Sequence, residues 1–247
     1  MNVVLLGATK GMGRALARQM AARGDRLFLL GRDAADLQKS ARDLEARSGQ
    51  AAGSVGSADC DLEGPESFAP GLDAAEAALG RLDIVVVTAG LFGTQDQLEA
   101  DVDLARRVLS VDFAHTVVFC EHARKRLIAR GGGTLCVFSS VAGERGRKPV
   151  VLYGAAKAGL TRYLEGLDHK FRVNGLKTVC VKPGFVATSM TAGLAPPPFA
   201  GEPEGVARVV LRAIDRGTPV VYAPPIWGLI MLVIRWLPRF AMRKLGF

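Results

Sequence analysis

A glycine-rich turn between an apolar strand and a helix constrains this chain more than any other feature. The run Asn2–Leu6 leads into GATKGMGRALA, where Gly7, Gly11 and Gly13 fall in the spacing GxxxGxG. Glycines there permit a tight turn and bring backbone N–H groups close to a pyrophosphate at the N-terminus of the following helix. Thr9, Lys10 and Met12 fill the same turn and join the glycines as candidate nucleotide contacts. An ordinary strand–helix turn can also hold three glycines, so the rest of the chain decides.

Beyond this turn, apolar strands and amphipathic helices alternate to the end of the chain. Strands are expected near Asn2–Leu6, Arg26–Leu30, Gly53–Ser57, Asp83–Thr88, Thr134–Ser139, Lys177–Lys182 and Val220–Tyr222, and helices over Gly13–Arg23, Ala34–Arg47, Pro65–Leu79, Leu98–Arg130, Val151–Val173 and Pro203–Arg216. Runs such as DIVVV and TLCVF are apolar on both faces, as strands covered by helices on both sides must be. The expected fold is therefore α/β: a single-domain Rossmann fold, a doubly wound parallel sheet of about seven strands with helices on both faces. Ligands in such sheets bind at the carboxyl ends of the strands.

Composition narrows the function classes. The chain has 247 residues, 49% of them hydrophobic and 23% charged, which suits one folded domain rather than disorder. A net charge of +8 points to anionic partners, but the cations are spread over many helices without a nucleic-acid motif, so no nucleic-acid partner is expected. Cys60, Cys120, Cys136 and Cys180 are scattered and His115, His122 and His169 form no ligand motif, so no metal is expected. The chain runs from Met1 straight into the first strand with no room for a signal peptide, and a cytoplasmic protein is expected.

At the nucleotide end, the second strand closes with LFLLGRD. Where a carboxylate would meet a free ribose 2′-hydroxyl stand Gly31 and Arg32, with Lys10 nearby, so NADP(H) is favoured over NAD(H). Asp33 is the counter-argument, though it can serve as a helix cap. After the third strand, Asp61 is placed either for the adenine amino group or as a turn residue, with Leu62 against the ring. Thr88, Ala89 and Gly90 bring backbone towards the cofactor ribose.

A second constellation lies downstream in SSVAGERGRKPVVLYGAAKAGL. Tyr153 and Lys157 at i and i+4 share a helix face. An ammonium near a phenol favours the phenolate, so Tyr153 is expected to titrate below its ordinary value, while Ser140 can hold a polarised carbonyl beside it.

Together these motifs resemble the short-chain dehydrogenase/reductase family over the whole chain: Gly7-x-x-x-Gly11-x-Gly13, Ala89-Gly90, Ser140, Tyr153-x-x-x-Lys157 and Pro183-Gly184. The resemblance implies an NADP(H)-dependent enzyme interconverting a ketone and a secondary alcohol. Tyr153 would be the general acid/base, Lys157 would lower its pKa and bind the nicotinamide ribose, and Ser140 would orient the substrate oxygen. It also implies cofactor contacts at Pro183, Gly184, Val186 and Thr188, a substrate lid at about 185–204, and a homodimer or homotetramer. Two positions depart from the family: Thr88 stands at an asparagine, and Asp112 replaces the asparagine that anchors a relay water. An ionised aspartate accepts but cannot donate, which opens the alternative of a catalytically weak nucleotide-binding or redox-sensing protein.

At the substrate end, Arg145 and Arg147 sit in a basic loop that is either solvated or in contact with an anionic group, and Met190 belongs to the lid. The domain is expected over 1–225, with an apolar and basic tail over 226–247. The tail is too short to span a bilayer and either lies in a membrane interface or packs on the pocket or a partner subunit. SSVAGERGRK, PGFVATSMTAGL and IRWLPRFAMRKL are also similar to decaprenylphosphoryl-2-keto-erythro-pentose reductases, which implies a lipid-linked substrate.

Overall fold

The computed structural model describes residues 1–49 and 51–246. Strands β1 (Asn2–Leu6), β2 (Arg26–Gly31), β3 (Gly56–Asp59), β4 (Ile84–Val87), β5 (Gly133–Phe138), β6 (Leu176–Pro183) and β7 (Val220–Ala223) form one sheet in the order β3-β2-β1-β4-β5-β6-β7. Every neighbouring pair is parallel. The order reverses between β1 and β4, so the carboxyl ends of these two strands open a crevice.

Helices α1 (Gly11–Ala22), α2 (Ala34–Ser48) and α8 (Pro203–Arg216) cover one face; α3 (Phe68–Leu79), α6 (Thr116–Ala129) and α7 (Val151–Phe171) cover the other. Strand β1 shows how the two-residue repeat divides the core. Val3 and Leu5 bury with Leu16 and Val210 on the first face, and Val4 and Leu6 bury with Phe68 and Leu164 on the second.

Two expected elements differ. The third strand starts at Gly56 rather than Gly53, because Gly53 turns the chain at φ 80° and the Val55 amide is held by the buried Glu45 carboxylate, 2.9 Å away. The long helix expected over Leu98–Arg130 is three pieces: α4 (Gln95–Ala100), α5 (Val102–Leu109) and α6, with a π-helical turn over Ser110–His115 between the last two. The first break is at Asp101, whose backbone is extended (φ −128°, ψ 99°) and whose carboxylate caps α5 by accepting from the Leu104 amide at 2.9 Å. The tail forms α9 (Ile226–Trp236) and α10 (Arg239–Lys244), separated at Pro238. Met231 and Ile234 of α9 bury against Val141, so the tail is packed onto the domain.

Candidate active site

The crevice at the ends of β1, β2 and β4 has a volume of about 480 Å³. Gly7, Thr9, Lys10, Gly11, Met12 and Gly13 line it with Arg32, Asp61, Leu62, Ala89 and Gly90, so the nucleotide-end residues come together as expected. Gly7 has φ 97°, and a Cβ on Gly13 would stand 2.3 Å from the Gly7 carbonyl oxygen, so the turn closes only with glycine. The Thr88 hydroxyl donates to the same carbonyl at 2.9 Å and ties β4 to the turn. No side chain caps the N-terminus of α1 and its first turn holds no acid, which leaves its amides and positive dipole end facing the crevice. These features fit the pyrophosphate of a dinucleotide.

The cations at this end are not alone. Lys10 Nζ lies 3.2 Å from Asp36, and Arg32 lies 3.5 Å from Glu63, which also takes a bidentate pair of hydrogen bonds from Arg107 at 2.7 and 2.9 Å. Asp33 caps α2 by accepting from the Asp36 amide at 2.9 Å. Asp61 accepts from the Glu63 amide at 3.0 Å, a turn role that coexists with its place on the crevice wall. Asp36 and Glu63 escape a search confined to the strand end, because both reach the site from positions beyond it.

Tyr153 and Lys157 share one face of α7. The helix is fixed from two sides: Ser139 Oγ at the end of β5 donates to the Lys157 carbonyl at 2.9 Å, and Gln95 Oε1 accepts from the Val151 and Leu152 amides at 2.8 and 3.3 Å. Phe92 meets the Tyr153 ring edge-on at 5.2 Å. Ser140 accepts from the Ala142 amide at 3.0 Å and stands close enough to Tyr153 to hydrogen-bond its phenol.

The electrostatics correct one expectation: Tyr153 sits above, not below, the ordinary tyrosine range. Burial is the main cause and the Asp112 charge adds to it; the hydrogen bond from Ser140 opposes them. Lys157 Nζ is 5.6 Å from the Tyr153 ring centre but 3.7 Å from Asp112 Oδ2, so its charge faces a carboxylate as well as the phenol. Asp112 is fully buried in the π-helical turn; its Oδ1 accepts from the Leu91 amide at 2.8 Å, and burial raises its own pKa against the pull of Lys157.

The substrate side is less gathered. Thr188 and Met190 line the crevice, and a Cβ on Gly11 would touch the Thr188 methyl at 3.3 Å, so the segment expected to be the lid crosses the glycine turn. Val186 is buried and bridges Gly201, which ties the base of the lid. Pro183 ends β6, and Gly184 packs against the Trp227 indole; neither lines the crevice. Ser140, Tyr153 and Lys157 likewise lie beyond its walls, around the deeper β5–α7 corner. Neither of the two arginines lines the crevice. Arg145 donates to the Leu237 carbonyl at 2.9 Å, and Arg147 is buried enough for desolvation to lower its pKa. Glu144, which no sequence motif marks, pairs with Lys182 and, at 3.4 Å, with Arg235 of α9. The four cysteines are free and buried, and burial pushes the Cys60 and Cys180 thiols up to about 12 and about 11.

Comparisons with known proteins place the fold in a family. The family model for short chain dehydrogenase matches residues 1–197. The chain is 34% identical to an uncharacterized oxidoreductase of Mycobacterium tuberculosis, over 98% of this chain and 96% of that one. It is 31% identical to a cis-4-hydroxycyclohexanecarboxylate dehydrogenase of Sinomonas cyclohexanicum, over 77% and 75%. Its fold is that of an actinorhodin polyketide ketoreductase solved with NADPH, with a TM-score of 0.79 at 22% identity over 90% of this chain and 95% of that one. The chain therefore belongs to the short-chain dehydrogenase/reductase family, oxidoreductases that act between CH–OH and C=O groups with a nicotinamide cofactor.

Proposed function

We propose that this protein is an NADP(H)-dependent oxidoreductase interconverting a ketone and a secondary alcohol, with an anionic, lipid-linked substrate met on the cytoplasmic side of a membrane, and that it works as a homodimer or homotetramer. The observation that carries the chemistry is the α7 face holding Tyr153 and Lys157 beside Ser140. A bound nicotinamide would supply or accept the hydride. Tyr153, protonated well above neutral pH, gives its proton to the carbonyl oxygen in reduction, and Ser140 orients that oxygen. Lys157 and Asp112 lie behind the phenol as a charge pair. Gly7, Gly11 and Gly13 would cradle the pyrophosphate, Ala89 and Gly90 the ribose, and Val186 with Thr188 the carboxamide side.

The NADP(H) preference rests on Lys10 and Arg32. Both are exposed, and exposed ion pairs contribute about 0–1 kcal/mol, so a 2′-phosphate can displace Asp36 and Glu63 from them. Arg32→Ala is expected to weaken NADPH binding at least tenfold more than NADH binding, read by fluorescence titration; equal losses would remove the preference. For the chemistry, Tyr153→Phe is expected to lower ketone reduction by at least 10³-fold while NADPH affinity stays within a few-fold. Activity surviving in that variant would remove Tyr153 as the acid. A wild-type chain that binds NADPH but turns over no carbonyl, soluble or lipid-linked, would favour the nucleotide-binding alternative that Asp112 raises.

A further inference from the structure

Helix α9 is apolar from Ile226 to Ile234, and its one charge, Arg235, stands in the last turn. Trp227, Ile230, Met231 and Ile234 recur at the inward positions, where Met231 and Ile234 bury with Val141 beside Tyr222. The opposite side carries Leu229, Leu232, Val233 and Trp236, exposed by 63%, 47%, 61% and 83%, and Phe240 of α10 is exposed by 68%. A helix without a polar face is ordinarily enclosed, and a contiguous apolar surface on a folded domain marks a contact with something else. Cations surround this one: Arg235, Arg239, Arg243 and Lys244, with no acid after Asp215. Among the described residues, Arg239, Arg243 and Lys244 enter no ion pair.

We propose that the outer side of α9 and the cations of α10 form a docking surface for an anionic lipid bilayer, with α9 lying in the headgroup region. No helix is long and apolar enough to cross a membrane, so the tail would lie in the surface rather than span it. Leucine, valine, tryptophan and phenylalanine flanked by arginine and lysine match the apolar and anionic layers of such a surface in turn. A second copy is a poorer match. A twofold contact through this side would set the same cations of both tails together, with no acid on either tail to pair them.

The surface is fastened to the substrate end. Arg235 reaches Glu144 at 3.4 Å, Arg145 holds the Leu237 carbonyl, and Trp227 Nε1 donates at 3.3 Å to the Phe199 carbonyl of the lid. The segment Val141–Glu144 beneath α9 starts one residue after Ser140. Docking would therefore bring the lid and the Ser140 loop to within about one helix diameter of the lipid surface. That consequence rests on the proposed function; the docking itself does not.

The test uses the full chain with phosphatidylglycerol and phosphatidylcholine vesicles, by co-sedimentation and tryptophan emission. Binding to phosphatidylglycerol, weak binding to phosphatidylcholine and release by salt are expected, with a blue shift that Trp236→Phe removes. Leu229→Glu/Val233→Glu is expected to abolish binding. Arg239→Ser/Arg243→Ser is expected to weaken it about twenty-five-fold, at roughly fivefold per cation. No sedimentation with phosphatidylglycerol overturns the proposal. So does equal binding to both lipids, or concentration-dependent self-association in sedimentation velocity that Leu229→Glu/Val233→Glu removes. Carbonyl reduction by the wild-type chain, measured without vesicles on soluble ketones and on detergent-dispersed lipid-linked ones, separates the two readings: its absence on both, with vesicle binding retained, counts against the proposed chemistry alone.

Discussion

Asp112 changes what Lys157 can do to Tyr153. An ammonium 3.7 Å from a buried carboxylate is half of a pair, and the phenol beyond it feels the carboxylate too. Burial and that negative charge hold the phenol protonated, which suits donation to a carbonyl and disfavours the phenolate needed to take a proton from an alcohol. Asp112→Asn removes the charge and leaves Lys157 to act on Tyr153 unopposed, so the phenol pKa should fall. Alcohol oxidation, which needs the phenolate, should therefore gain at a given pH below that pKa, about tenfold per unit of fall. Reduction near neutral pH, where the phenol is protonated in both proteins, should move far less. Paired pH–rate profiles for oxidation and reduction check this; superimposable profiles would show that Asp112 has no hold on the phenol. Spacing alone revealed Tyr153 and Lys157, because i and i+4 on one helix are a local relation. The Asp112–Lys157 pair is not local: it depends on a π-helical turn bringing one helix against another.

At the scale of elements, the order of strands and helices was readable from apolar runs and turn residues, because parallel strands covered on both sides have no polar face to hide. Breaks within helices were not. The segment from Gln95 to Ala129 keeps helical composition throughout, and it is divided by the extended backbone at Asp101 and by the π-helical turn over Ser110–His115. The division has a purpose visible in α7, whose first turn lacks a capping side chain of its own and borrows Gln95 from α4. Gln95→Ala should cost about 1 kcal/mol, as loss of a helix cap does, and lower the melting temperature by roughly 2–4 °C for a domain of this size. Because Tyr153 stands just inside that turn, reduction should slow along with it. Differential scanning fluorimetry beside steady-state kinetics would show both; an unchanged melting point would mean water replaces the amide without loss. The contact that Arg145 makes with the tail was hidden in the sequence for a related reason. Charge in a sequence says nothing of direction, and Arg145 spends its guanidinium on the tail.

Across the whole molecule, three regions far apart in sequence meet at one side: the glycine turn, the lid and the tail. Thr188, Ser189 and Met190 form part of the crevice wall beside Gly11, and the lid is held at its base by the Val186–Gly201 bridge and at Phe199 by Trp227. As the substrate lid that the family resemblance implies, this segment would impose a sequence of events on a dinucleotide held in the crevice. With the nucleotide in place, the lid has a surface to close on; with a substrate under a closed lid, the nucleotide has no way out. Cofactor should therefore bind first and leave last. Product-inhibition kinetics report this directly: NADP⁺ should compete with NADPH at every substrate level, whereas the alcohol product should not compete with NADPH. The same wall would then make the lid a timer, and release of the spent nucleotide, rather than hydride transfer, is expected to set the pace of turnover.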